Sequence, residues 1–385
     1  MHFVKPRKGL FVVILVLLLA SLACLGGSGD ADSGDTGEAN FEATQRSLES
    51  TQNALEVQQE AEPTQAAPQG EQESGPTNSG GSGNGPALSN TLFTHPEGIY
   101  DTYPPEGWEI EDYSGGAKFS APDDSGFIEI FVTNTGTTLD SDGFTSFVTS
   151  YELNWYSTYE GYNEIERTID ADSGLAEVRK QITVDGSPVI INTFYDQHGQ
   201  TVYILDLWAF SDVYEDFLTT YDNMFDVTTV YSDTAASQPV YYWTVTFTGP
   251  GSLFTMEVPA AFEYYVDEYT NEVWDKFVSN DGHMIIHSVV YNEGTTITKS
   301  LAGRVALDLL HSQYASDIRI TDDEVQGDGS ERLTWYSQSG GYAGLSFFEV
   351  RNNTSFLMLT YVYDDDYYDI YSPIIDYTLS TYTIP

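Results

Sequence analysis

The hydrophobic pattern divides the chain into three stretches. Leu10 to Leu22 is an apolar run behind Lys5, Arg7 and Lys8. Residues 25–90 hold few apolar side chains and a single aromatic, Phe41. From about residue 91 onward, aromatic and β-branched residues alternate with polar ones, the period-two signature of half-buried strands. Gly126–Asn134 and His283–Tyr291 read as such strands. Helical spacing follows each of them. Phe144, Phe147, Val148, Tyr151 and Trp155 fall at i, i+3, i+4, i+7 and i+11, and Val305, Ala306, Leu309 and Leu310 form the matching stripe. Asp185-Gly186 lies between Ile182-Thr183-Val184 and Val189-Ile190-Ile191, which predicts a two-residue hairpin. Gln197-His198-Gly199 and Asn352-Asn353 predict the next turns. A closing helix is expected after Ser211-Asp212 and again within Asp364-Asp365-Asp366. Helices before and after an antiparallel meander predict an α+β layered sandwich.

The pattern occurs twice. Tyr100 to Glu109 (YDTYPPEGWE) matches Phe254 to Glu263 (FTMEVPAAFE), with Trp108 opposite Phe262 at an offset of 154. Phe194 to Trp208 matches Phe347 to Tyr361 at an offset of 153. So long a period means a duplicated domain and not a solenoid. The expected map is domain one at 91–232, a linker at 233–239 containing Ser237-Gln238-Pro239, and domain two at 240–385. Each copy is expected to have its own core and to fold alone.

Charge narrows the partners. Asp and Glu number 59 against 14 Lys and Arg, a formal net charge of -45, with a pI near 4.1. Nucleic acid is excluded as a partner, because phosphate binding needs clustered Lys and Arg. One cysteine excludes an internal disulfide and any Cys-based zinc site.

That cysteine closes the N-terminal signal. Residues 1–23 have a basic start, an apolar run shorter than the ~20 residues of a spanning helix, and small residues before Cys24. Ala20-Ser21-Leu22-Ala23-Cys24 resembles the lipobox of bacterial lipoproteins, with Ser21 where that family most often has Leu. The resemblance implies cleavage before Cys24 and acylation of Cys24, hence anchoring to the outer face of a cell membrane. The other reading is an uncleaved anchor extended by Leu25. Residues 24–90 then form a disordered tether, with Phe41, Leu48 and Leu55 spaced by seven as a weak helical stripe. Gly80-Gly81-Ser82-Gly83-Asn84-Gly85 follows no strand and opens no helix, so it reads as linker and not as a nucleotide loop.

A strand leading into Pro-Glu-Gly-Trp-Glu (Pro105–Glu109), a helix, a long meander and a closing helix resemble the PsbP-like family. That family includes an extrinsic photosystem II subunit and bacterial lipoproteins of the DcrB and LpqN kinds. The resemblance implies two tandem α/β/α sandwiches and carries no site residue over. The second copy departs from it at Pro259-Ala260-Ala261-Phe262.

Three clusters could hold chemistry. His283 and His287 share a strand face and could begin a metal site, but no third ligand is near in sequence. Asp364-Asp365-Asp366 could suggest calcium, yet its place before a helix favours capping, as for Ser211-Asp212. Asp206 lies mid-strand between Leu205 and Leu207, where a charge needs a partner, and Arg179 or Lys180 is the expected one. With Leu359 read as the equivalent position, Asp206 is not part of the shared design. Tyr numbers 28, and clusters such as Tyr241-Tyr242-Trp243 either cover the sheets or form a binding face. No hydrolase elbow, zinc helix or phosphate loop occurs. The expected function is therefore non-enzymatic binding, scaffolding or envelope assembly, with no cofactor and no metal, and an envelope protein or small ligand as partner. The alternatives are solute capture between the two copies, or an unrecognised hydrolase using Asp206 and His198.

Overall fold

The computed structural model describes residues 85–384 except 328. The export signal, Cys24 and the tether up to residue 84 lie outside the described residues.

Two seven-stranded antiparallel sheets dominate, and they have the same strand order. The first contains β1 (Glu109–Tyr113), β2 (Gly116–Ser120), β3 (Gly126–Asn134), β4 (Asn163–Asp170), β5 (Leu175–Val184), β6 (Ser187–His198) and β7 (Thr201–Phe210). Across the sheet they run β1-β2-β3-β7-β6-β5-β4. The second sheet repeats this with β8 (Glu263–Glu268), β9 (Glu272–Val278), β10 (Met284–Tyr291), β11 (Arg319–Val325), β12 (Glu331–Ser337), β13 (Tyr342–Arg351) and β14 (Ser355–Asp364). Helices α1 (Ser141–Tyr151) and α2 (Tyr214–Val227) cover opposite faces of the first sheet. Helices α3 (Lys299–Gln313) and α4 (Tyr368–Thr381) cover the second in the same way. The chain is thus an α+β protein of two tandem layered units.

The duplication reaches single hydrogen bonds. Thr229 pairs with Asp101 in the first unit, and Thr383 pairs with Thr255 in the second, both 154 residues on. Between these points the offset drifts. β10 pairs with β14 as β3 does with β7, which puts Met284 in the place of Gly126. The β8–β9 hairpin is longer than β1–β2, and shorter later connections absorb the difference, so the two sequence matches do not show it. In this register Thr360, and not Leu359, stands for Asp206, and Glu129 stands for His287.

The local turns follow their chemistry. Asp185 (φ 51°) and Gly186 (φ 78°) both take the left-handed conformation that a two-residue hairpin needs. The next turn centres on Gly199-Gln200, one residue beyond the expected position, because His198 still pairs with Thr201. Capping differs from expectation. The side chains of Asp364, Val213 and Tyr367 cap no helix, and Asp364 binds His283 instead. The acids in the first turns of α2 and α4 act through the helix dipole alone. Asp140 does cap α1, accepting from Gly143 N at 2.8 Å.

Among the described residues there are three apolar clusters instead of one core per copy. The outer ones lie between the first sheet and α2, around Phe119, Ile128 and Leu205, and between the second sheet and α3, around Leu310, Trp335 and Met358. The largest joins the units: Phe131, Phe147 and Tyr151 on the α1 side pack in one cluster with Phe262, Ile286, Tyr361 and Tyr371 on the α4 side. Polar contacts lock the seam. Asn154 Nδ2 donates to the carbonyls of Ala260 and Phe262 at 2.8 and 2.9 Å. Asn280 Nδ2 donates to Ser146 Oγ at 2.8 Å and to Ala261 O at 2.7 Å. Thr137 and Tyr371 both donate to Asp281 Oδ2, at 2.7 and 2.6 Å. The 233–239 segment begins as a single helical turn and is held to the first unit, where Asn134 Nδ2 donates to the carbonyls of Ala236 and Gln238.

Candidate functional site

A polar row crosses the first sheet on the α1 side. Cross-strand pairing places Lys118 beside Glu129, Glu129 beside Asp206, and Asp206 beside Thr193. Side-chain alternation puts all four on one face. Lys180 on β5 points to the same face, while its neighbour Arg179 points away and pairs with Glu166 at 2.6 Å. Of the two expected partners of Asp206, Lys180 is therefore the one near it.

The helix completes the cluster through a departure from α geometry. After Tyr151 the chain makes a π turn over Glu152–Tyr156, with Ser157 N donating to Glu152 O. Tyr151 and Glu152 continue the inward stripe of Phe147 and Val148, as Leu309 and Leu310 do in α3, and the wider turn swings Tyr156 under the helix. Lys180 Nζ then donates to Glu152 Oε1 at 2.5 Å and to Thr193 Oγ1 at 2.6 Å. It lies 3.4 Å from the centre of the Tyr156 ring. Tyr195 OH donates to Glu152 Oε1 at 2.7 Å. Tyr156 OH donates to Asp206 Oδ2, and Trp208 Nε1 reaches the same oxygen at 3.4 Å.

Glu152, Lys180 and Asp206 are each at most 1% exposed. Burial pushes both carboxyl groups up and the ammonium down, and their mutual attraction opposes this. Two acids share one buried cation, so a proton is retained most readily by the cluster as a whole. Glu152 Oε2 and Asp206 Oδ1 have no hydrogen-bond partner. Enclosed in this way, the cluster can hold and redistribute a proton, but a dissolved substrate cannot touch it. His198 does not join it. It sits at the β6–β7 turn against Asp196 at 2.9 Å, five residues along β7 from Asp206, or roughly 17 Å at strand rise. The Asp206–His198 hydrolase pairing is not formed.

The second unit builds the same row from other residues. Lys276, His287, Thr360 and Ser346 take the places of Lys118, Glu129, Asp206 and Thr193. Tyr314 contacts His287 Nδ1 as Tyr156 contacts Asp206. Trp335 Nε1 donates to Ser346 Oγ at 2.8 Å, where Lys180 donates to Thr193. Leu310, Trp335 and Phe348 replace Glu152, Lys180 and Tyr195. One copy thus carries a buried ion pair where the other carries an apolar core.

The histidines do not converge. His283 binds Asp364 Oδ2 at 2.7 Å and stacks on Tyr367 at 3.6 Å, whereas His287 is buried under α3 with its pKa held well below the usual value by burial. Among the described residues, no group of three or more His, Cys, Asp or Glu side chains is placed to hold a metal. The Tyr241-Tyr242-Trp243 cluster divides. Tyr241 is buried at the seam, 4.9 Å from Phe262, and Trp243 packs on Phe131 and Trp155, while Tyr242 is exposed. These aromatics fill the space between the copies in which a captured solute would sit. Sequence reasoning missed Glu152 because an acid was not counted on the apolar stripe, although it lies one turn after Val148, and missed Tyr156 because the π turn places it five residues after Tyr151.

No family model matches the chain, and no curated protein matches it. Solved structures do. The chain is similar to the PsbP protein of the cyanobacterium Synechocystis sp. PCC 6803, with 12% identity over 41% of this chain and 98% of that one, TM-score 0.29. It is similar to LpqN of Mycobacterium tuberculosis, described as involved in cell envelope biogenesis, with 15% identity over 36% and 89%, TM-score 0.26. The Tle4–Tli4 complex matches with 11% identity over 72% and 97%, TM-score 0.20. The chain spans about half (54%) of a further match, from Bacteroides thetaiotaomicron VPI-5482, at 11% identity over 42% of this chain, TM-score 0.26.

Proposed function

We propose that the protein is a lipoprotein anchored through Cys24 to the outer face of a bacterial cell membrane, with a non-enzymatic binding or scaffold role in the envelope. The observation that supports the non-enzymatic reading is the enclosure of the Glu152–Lys180–Asp206 cluster. The groups with the strongest reasons to be catalytic are sealed beneath α1 and engaged with one another. Recognition then falls to the acidic outer surface. Solute capture between the copies is disfavoured by the packed seam of Trp155, Tyr241 and Trp243. The lipid anchor rests on the lone cysteine at the end of the apolar run. Labelling with an alkyne fatty acid tests it: the parent is expected to be labelled and to sediment with membranes, and Cys24→Ser to do neither. Capture of an envelope protein by photo-crosslinkers on the acidic surface tests the scaffold role. Turnover of ester, phosphate or glycoside substrates by the purified protein, lost in Asp206→Asn, would overturn it.

A further inference from the structure

The enclosed cluster of the first unit has the parts of a reaction within the chain itself. Lys180 Nζ is closed off on three sides, by Glu152 Oε1 at 2.5 Å, Thr193 Oγ1 at 2.6 Å and the Tyr156 ring at 3.4 Å. A C=O bond is about 1.2 Å long, so Glu152 Cδ lies at most about 3.7 Å from the nitrogen. Reacting atoms in a near-attack arrangement stand ~3–3.5 Å apart. Tyr195 OH donates to Glu152 Oε1 at 2.7 Å, where negative charge would develop if the amine added to the carboxyl carbon.

Glu152 Oε2 is buried without a hydrogen-bond partner. An orphaned buried oxygen is costly to keep, and this one is the atom that an amide bond would remove. Asp206 supplies a second acid. It is paired across the strands with Thr193, so one hydroxyl lies between it and the amine, and its Oδ1 is an orphan too. Burial holds the lysine pKa down and the glutamate pKa up, which favours the uncharged amine and acid that serve as nucleophile and electrophile.

We propose that Lys180 and Glu152 condense into an amide, a covalent cross-link between β5 and the end of α1, with Asp206 as proton relay. The ammonium first passes a proton to the Glu152 carboxylate. The Nζ lone pair then adds to Cδ, and charge moves onto Oε1 under the Tyr195 hydroxyl. Nζ gives up a second proton through Thr193 to Asp206, which returns it to Oε2. The Cδ–Oε2 bond breaks, and water leaves with one oxygen from Glu152 and two hydrogens from the ammonium. No oxidant or co-reactant is needed. In the product the amide oxygen keeps Tyr195, the amide N–H keeps Thr193, and the orphan Oε2 is gone. Enclosure protects the bond from hydrolysis, since Glu152 and Lys180 are at most 1% exposed. Such a staple suits a chain whose single cysteine allows no internal disulfide. The second unit cannot form it, because Leu310 and Trp335 hold the equivalent places.

Mass spectrometry of the purified full chain tests this. Proteolysis after denaturation should yield a branched fragment that joins the Glu152 and Lys180 peptides and weighs one water less than their sum. Lys180→Met and Glu152→Leu should each give linear peptides alone. Followed in newly synthesised chain, condensation should slow about a hundredfold in Tyr195→Phe, which loses the donor to Oε1. Asp206→Thr, which installs the residue found at Thr360 in the second unit, should slow it as much. Linear Glu152 and Lys180 peptides at full yield from the parent would overturn the proposal, whatever the variants do. So would a water loss that maps to a succinimide at Asp185-Gly186, or a branch that joins Lys180 to Asp206. An unchanged rate in Asp206→Thr would overturn the relay.

Discussion

At the scale of single residues, the two copies serve as each other's mutants. Glu152, Lys180 and Tyr195 are replaced by Leu310, Trp335 and Phe348 without change of fold. A buried ion pair is weak evidence for stability, whereas breaking one costs about 3–5 kcal/mol because an unpaired charge remains. Lys180→Met or Glu152→Leu alone should therefore destabilise by that amount in urea titrations. The quadruple change Glu152→Leu, Lys180→Met, Tyr195→Phe, Asp206→Thr, which also removes the second acid, should come back to within ~1–2 kcal/mol of the parent in its ion-paired form. A quadruple mutant as unstable as the worst single would show that the charged cluster itself holds α1 down. Asp275 gives a second test, through pH. It is buried, accepts from Tyr264 and Ser288, and burial pushes its pKa up to about 6. The folded chain keeps this proton longer than the unfolded one, whose Asp titrates near ~3.9. The contribution is complete below that value and is lost as pH rises through 6, by up to ~3 kcal/mol. Asp275→Asn should flatten stability between those limits; an unchanged slope would assign the titration elsewhere. Asp206 was legible in sequence as a charge among leucines, and Lys180 as its partner. Glu152 was not, because an acid reads as solvent-facing even where the stripe through Val148 turns it inward.

At the scale of elements, the strands and the Asp185-Gly186 hairpin were legible because alternation and turn chemistry are local. The register between copies was not, since a longer β8–β9 hairpin is offset by shorter connections later. The capping role expected of Asp364 failed because its carboxylate is engaged across the strand end by His283 Nδ1 at 2.7 Å. Gly143 shows how an element answers to its surroundings. In an isolated helix, Gly→Ala would gain ~1 kcal/mol. Here the methyl would meet the Asn280 carbonyl at 2.6 Å, so Gly143→Ala should destabilise the protein by ~1–3 kcal/mol. If thermal melts instead show stabilisation, the seam is looser than the structure describes. The edge strands share another local device. β1, β4, β8 and β11 carry Glu111, Glu166, Asp267 and Asp323 among other acids, and charge on an exposed edge discourages indiscriminate strand pairing. Self-association through an edge is thereby suppressed.

At the scale of the whole molecule, the sequence suggested two domains that each fold alone, and the packing couples them. A core that draws Phe131, Phe147 and Tyr151 from one unit and Phe262, Ile286 and Tyr371 from the other cannot be split without exposing both halves to water. Repeat matching could not foresee this. It compares each copy with its twin, while the seam joins faces that are not equivalent. Phe262 is the clearest probe. It is fully buried and packs edge-on against Tyr241 at 4.9 Å, and its counterpart Trp108 lies in an outer cluster against Phe217. Phe262→Ala should cost about 3–5 kcal/mol, the usual range for emptying a phenylalanine site. In calorimetry the parent should show one cooperative transition, and Phe262→Ala should lower all of it, because both units lean on that side chain. Trp108→Ala should likewise shift the whole transition, although it lies far from the seam. Two resolved transitions in the parent, with Trp108→Ala moving one and Phe262→Ala the other, would mean that the shared cluster adds little coupling and that each unit stands on its outer core.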